Sequence, residues 1–159
     1  MSCTALLNFV GPDRPELLFP IKELLRSSAD PGERDLARLK RVLRYLVGHR
    51  RRALHFPWCQ GRPDLTVAVD SDFAGCLETR KSSAGGCARW GGAVVKCWCR
   101  TLPTIALSSG EAELGALVKG AAEADGLVAI LGDFGIQAAI VLESDASAAV
   151  GITQRLGLG

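Results

Sequence analysis

The sequence contains no apolar run approaching the ~20 residues that a membrane-spanning helix requires. Its first residues, Met-Ser-Cys-Thr-Ala, lack the basic start and long apolar stretch of a secretory leader. Histidine is scarce, at His49 and His55 only. None of the six cysteines (Cys3, Cys59, Cys76, Cys87, Cys97, Cys99) stands in a CxxC pair or a zinc-ligand series. A zinc fold is therefore not expected, and the thiols read as reduced and mostly buried in an intracellular protein. Cys97 and Cys99 flank Trp98 in an alternating run, which puts both thiols on one strand face. There is no internal repeat and no low-complexity tract.

What is present is a globular composition, 48% hydrophobic and 23% charged over 159 residues, enough for a domain with a core and an appendage. The net charge of +2 is unevenly placed: residues 1–56 hold 11 Lys+Arg against 6 Asp+Glu, and residues 57–159 hold 8 against 11. A basic front beside an acidic back suits a phosphate-facing segment next to a cation-binding one.

Residues 11–27 carry Leu17, Leu18, Ile21, Leu24 and Leu25 at helical spacing, with Pro15 suited to a first turn and Pro20 expected to kink or delay the helix. A second helix is expected from Asp30 as N-cap and Pro31 at the first helical position. Glu33 would complete a capping box, and Gly48 is the stop. Its apolar stripe is Leu36, Leu39, Val42, Leu43 and Leu46; Arg34, Arg38, Arg41 and Arg44 fall mainly on another face. That arginine face is either a solvated helix surface or a contact for a nucleic-acid backbone. A linker, Pro57 to Pro63, follows a short extended exit and sets the domain boundary. Residues 1–56 are thus a helical segment, 57–63 a linker and 64–159 an α/β domain.

Beyond the linker the expected order is strand, strand, strand, helix, strand, helix. The strands are Leu65–Ser71, Ala84–Trp90, Ala93–Cys99 and Ala138–Glu143, with Gly91-Gly92 as a hairpin turn. The helices run from about Gly110 to Leu131 and from Ala146 to Gln154; Gly115, Gly120 and Gly126 weaken the first locally. Three acids take comparable positions. Asp70 ends the first strand, Glu113 lies in the first turn of the long helix, and Asp145 follows the fourth strand. Each alone reads as a common solvated acid. Together they can converge if their strands are adjacent and parallel. Oxygen ligands suit hard divalent cations, and two such ions ~4 Å apart can serve a phosphodiester displacement.

Four ordered motifs carry a resemblance. They are Asp70-Ser71-Asp72-Phe73-Ala74-Gly75-Cys76, Thr79-Arg80-Lys81-Ser82-Ser83-Ala84-Gly85, Ser108-Ser109-Gly110-Glu111-Ala112-Glu113-Leu114 and Glu143-Ser144-Asp145. From about Leu65 to Ile152 the chain resembles the ribonuclease H domain of copia-type LTR retrotransposon polyproteins. Arg14-Pro15-Glu16 and Lys40-Arg41-Val42-Leu43-Arg44-Tyr45-Leu46-Val47-Gly48 are similar to the segment that joins reverse transcriptase to that domain.

The resemblance implies a ribonuclease H-like mixed sheet flanked by helices. It implies two-metal-ion cleavage of the RNA strand of RNA–DNA hybrids, with Mg²⁺ as cofactor and Mn²⁺ as substitute. Asp70, Glu113 and Asp145 are the implied catalytic metal ligands, Asp70 bridging both ions. Asp72 and Glu111 match motif acids outside the ligand set. Arg38, Arg41, Arg44, Arg80, Lys81, Ser82 and Ser109 are the implied nucleic-acid contacts. The implied partners are the hybrid and the reverse transcriptase domain of the same polyprotein, in a cytoplasmic particle or the nucleus. Phe73 stands where the family has Trp, Leu114 where it has Tyr, and Ala146-Ser147 replaces a more polar pair. The family's fourth carboxylate has no counterpart before Gly159, and the polymerase acid pair is missing. The domain is therefore expected to be C-terminally incomplete. The alternative is an inactive hybrid-binding module or decayed retroelement fragment.

Overall fold

A computed structural model describes residues 3–61 and 63–155. Arg62 of the expected linker and residues 156–159 of the expected domain lie outside the described residues. The chain forms two compact units, Met1–Leu54 and His55–Gly159, each with its own apolar cluster.

The first unit is helical. α1 (Cys3–Val10) is followed by two single 3₁₀ turns, Gly11–Asp13 and Pro15–Leu17, then α2 (Leu18–Arg26) and α3 (Glu33–Gly48). The single helix expected over residues 11–27 is thus split. Pro12 and Pro15 open the two short turns, and Pro20 falls in the first turn of α2, where its missing N–H has no helical acceptor to lose. Leu7, Leu17, Ile21, Leu24 and Val42 form the core. The cap of α3 is Gly32, two residues after the expected Asp30. Asp35 supplies the reason: its carboxylate accepts the Gly32 N–H at 3.2 Å and the Arg38 guanidinium at 3.1 Å. Of the expected stripe, Val42 is buried, Leu39 and Leu46 pack beside it, and Leu36 and Leu43 remain exposed.

The second unit is an α/β domain. β1 (Leu65–Ser71), β2 (Ser83–Trp90), β3 (Ala93–Thr101) and β4 (Ile140–Glu143) form one mixed sheet in the order β3-β2-β1-β4. β1 is antiparallel to β2 and parallel to β4. The β2–β3 turn places Gly91 and Gly92 at φ +59° and +82°, the left-handed pair that a tight hairpin demands and that glycine adopts without strain. Alternation along β1 sends Leu65, Val67 and Val69 into the core, beside Ala88 and Gly86 of β2 and Trp98 of β3. α4 (Ser109–Asp133) covers this face through Ala112, Ala116, Leu117, Gly120 and Ala124. Gly120 does more than weaken the helix: a Cβ there would meet Val69 Cγ1 at 2.6 Å, so the glycine permits the close approach of α4 to β1. α5 (Ser147–Thr153) buries Ala149 in the same cluster.

The opposite face carries Thr66, Ala68, Cys87, Cys97 and Cys99, all half-buried. All six cysteines are thiols, Cys3 and Cys59 exposed and the other four half-buried. None is fully buried, contrary to expectation, because Cys87, Cys97 and Cys99 lie on the face away from α4. Among the described residues no helix is long and apolar enough to cross a membrane.

α4 is tied to β3 by Glu123, which pairs with Lys119 at 2.8 Å and with Lys96. Hydrogen bonds from these two ammonium groups hold the Glu123 carboxyl below its ordinary value. A depressed folded-state pKa stabilises the fold above the unfolded value, about 4.3, and the gain is lost as pH falls through the lowered value. Glu123→Gln is therefore expected to cost about 0.5–1 kcal/mol at neutral pH. In thermal melts the difference from wild type should close below about pH 4.

Candidate metal centre

The acids are brought together by the parallel pairing of β1 and β4. Asp70 is the penultimate residue of β1 and Asp145 lies two residues beyond β4, so both project from the same end of the sheet. Glu113 comes from the start of α4, whose N-terminus is held by the Ser108 cap and by Glu111 reaching back past it. Ser108 Oγ accepts the Glu111 N–H at 3.2 Å, and the Glu111 carboxylate accepts the Leu107 N–H at 2.7 Å. Ser-x-x-Glu is legible in the sequence, and it explains why Glu111 is turned to the helix cap and Glu113 to the sheet.

One carboxylate oxygen each from Asp70, Glu113 and Asp145 lies within 4.8 Å of the others. Glu113 Oε1 accepts the Ser71 hydroxyl at 2.7 Å and the Ser71 N–H at 3.2 Å. Glu113 Oε2 is buried with no hydrogen-bond partner among the described residues. A buried anionic oxygen without a partner is costly, and a cation satisfies it. A cleft of about 530 Å³, lined by Asp70, Glu143, Ser144 and Asp145 with apolar walls from Val69 and Leu142, opens beside these groups. The donor set is all oxygen, which fits a hard divalent cation. Such an ion can be held by Asp70, Glu113 and Asp145.

Ser71 is the residue that orients Glu113, and the motif spacing does not single it out. Alternation gives the signal. Ser71 continues the core-facing series Leu65, Val67, Val69, and a hydroxyl there must find a partner on α4. Outer-shell partners of metal ligands are worth about 10–100-fold in affinity, so Ser71→Ala is expected to weaken divalent-ion binding about 10-fold in a Tb³⁺ luminescence titration.

The remaining site residues are dispersed. Asp72 closes the β1–β2 loop: its carboxylate accepts the Ser83 N–H, and its N–H donates to Ser83 O at 3.0 Å. A Cβ at Gly75 would meet the Asp72 carboxylate, so a side chain there would have to displace that carboxylate from the Ser83 N–H. Ser82 leaves the set of surface contacts. It is fully buried, and its Oγ accepts the Ala74 N–H at 2.9 Å, which braces the loop where Ala74 takes φ +51°. Arg80 is exposed and Lys81 half-buried on that loop, and Ser109 is exposed at the first turn of α4. Arg38, Arg41 and Arg44 are exposed on α3 of the other unit, with Arg38 engaged by Asp35.

The chain has relatives among curated proteins. A protein of Plasmopara viticola named secreted RxLR effector protein 161 is 33% identical over 120 residues, covering 76% of this chain and 84% of that protein. The chain belongs to its family. An uncharacterized mitochondrial protein of Arabidopsis thaliana, AtMg00810, is 32% identical over 124 residues, 77% of this chain and 50% of that protein. The retrovirus-related Pol polyprotein from transposon TNT 1-94 of Nicotiana tabacum is 28% identical over 142 residues, 89% of this chain and 10% of the polyprotein. The family is therefore retroelement-related, and the chain spans half of the Arabidopsis relative and a tenth of the polyprotein. No protein-family model and no solved structure matches the chain.

Proposed function

We propose that the second unit is a ribonuclease H-like, divalent-metal-dependent endoribonuclease that cuts the RNA strand of RNA–DNA hybrids. The observation that carries this is the meeting of Asp70, Glu113 and Asp145 at one sheet edge with a buried, unpartnered Glu113 oxygen. The similarity to a transposon Pol polyprotein supports a retroelement setting, in which the first unit connects the nuclease to a reverse transcriptase domain of the same polyprotein.

Asp70, Glu113 and Asp145 would hold two Mg²⁺ ions. When bound, such ions supply the Lewis acidity that makes water a nucleophile and neutralises the leaving oxygen. Ser71 fixes the orientation of Glu113. Without bound cations the three carboxylates repel a phosphodiester, so substrate approach is coupled to metal loading. Arg80 and Lys81, on the braced loop after β1, and Ser109 at the N-terminus of α4 face the backbone phosphates. Choice of RNA as the cut strand rests on contacts to its 2′-hydroxyls.

The test is cleavage of an RNA–DNA hybrid labelled on the RNA strand, in Mg²⁺, in Mn²⁺ and in EDTA. Metal-dependent cutting of RNA and sparing of DNA is the expected result. Metal-dependent hybrid binding without cutting would reduce the unit to an inactive hybrid-binding module, and absence of both would remove the proposal.

A further inference from the structure

The open face of the sheet carries one ion pair beside the acids. Arg89 of β2 and Glu143 of β4 meet across β1, Nη2 to Oε2 at 2.7 Å. The register explains how. Glu143 is level with Ala68 and Arg89 with Thr66, so the two side chains stand two residues apart along one face of β1. Asp70 is the next residue on that face. Glu143 therefore has Arg89 on one side and Asp70 on the other, and it lines the same cleft as Asp70 and Asp145.

Resting on the metal-centre reading above, we infer that Glu143 is a further carboxylate of that centre, drawn away from Asp70 by Arg89, and that this pair sets how tightly the second divalent cation is held. Charge balance favours it. Three carboxylates leave two divalent cations one charge short of neutrality, and a fourth closes the difference. The restraint is also of the right strength. The two side chains are 44% and 50% exposed, and an exposed pair of this kind holds by less than about a factor of five. Arg89 thus biases Glu143 without locking it, and a cation in the cleft competes with the guanidinium for the same carboxylate.

The experiment is calorimetric titration of the full chain with Mn²⁺, in wild type, Arg89→Gln, Glu143→Gln and the double variant. Arg89→Gln is expected to tighten the second Mn²⁺ about 2–5-fold, the strength of the pair it removes. Glu143→Gln is expected to weaken it about 10-fold. In the Glu143→Gln background, Arg89→Gln should bring no tightening. Equal tightening in both backgrounds would overturn the inference, because it would report only the loss of a nearby positive charge. So would a Glu143→Gln variant whose second Mn²⁺ binds as in wild type. A wild type that takes up no Mn²⁺, or whose uptake survives Asp70→Asn, would instead overturn the metal centre itself.

Discussion

Asp70→Asn removes metal-dependent RNA cleavage in the hybrid assay, by more than about 100-fold, and leaves the fold intact. The size follows from position. Even outer-shell partners of metal ligands cost about 10–100-fold when lost, and Asp70 is one of three carboxylates whose oxygens lie within 4.8 Å of one another. Asparagine keeps the shape and one carbonyl oxygen, so the Ser71 N–H that donates to Asp70 Oδ1 at 2.8 Å keeps its acceptor. Asp70 is exposed at the strand end and lies outside the core cluster, so the substitution opens no cavity. Thermal melting without added metal should therefore match wild type, while the stabilisation by Mg²⁺ or Mn²⁺, which arises because the ion binds the folded chain only, should be lost. A variant that cuts at the wild-type rate would place the chemistry elsewhere.

Gly86→Ala is the substitution with the largest expected effect on stability. Gly86 lies on the core face of β2, directly opposite Trp98 of β3, and the indole lies over it so closely that a Cβ would fall within the ring. Trp98 is buried in the core cluster against Leu102 and α4, which leaves the ring little room to withdraw. Overpacking a well-filled core costs about 1–3 kcal/mol, and a rigid ring places this case at the upper end. Urea denaturation is expected to show a loss of about 3 kcal/mol, a large part of the stability of a domain this size. Replacing Trp98 by Leu in the same chain should recover part of that loss, since the two positions share one space and their effects are then not additive. Additive losses would mean that the strain lies in the backbone rather than against the ring.

Much of the second unit is legible in the sequence because its signals are local. The alternation of Leu65, Val67 and Val69 sets β1 at Leu65–Ser71, and Gly91-Gly92 sets the hairpin, since only glycine takes two successive positive φ values freely. The first unit is less legible. Its α1 has a single buried residue, and Pro12 and Pro15 open 3₁₀ turns in what periodicity alone makes one helix. The start of α3 turns on which carboxylate reaches back to a free N–H. That is a matter of geometry, which Asp35 meets and Glu33 does not. Ser82 shows the same limit from the other side. Its motif suggests a surface contact, but the tight turn through Ala74 needs an acceptor inside the loop, and Ser82 provides it.

The sequence by itself placed candidate acids after apolar strands and at a helix start, while the preference for Glu113 over Glu111 came from the resemblance of the motif at residues 108–114 and not from spacing. Tertiary structure decided everything that depends on partners distant in the chain. It set β4 parallel beside β1 and so brought Asp145 to Asp70. It closed α4 onto β1 at Gly120, which delivered Glu113 to the hydroxyl of Ser71. It also aligned Arg89 with Glu143 across β1. Hydrogen-bonded register and close packing act between segments 40 or more residues apart. A local pattern carries no information about which distant strand will lie alongside.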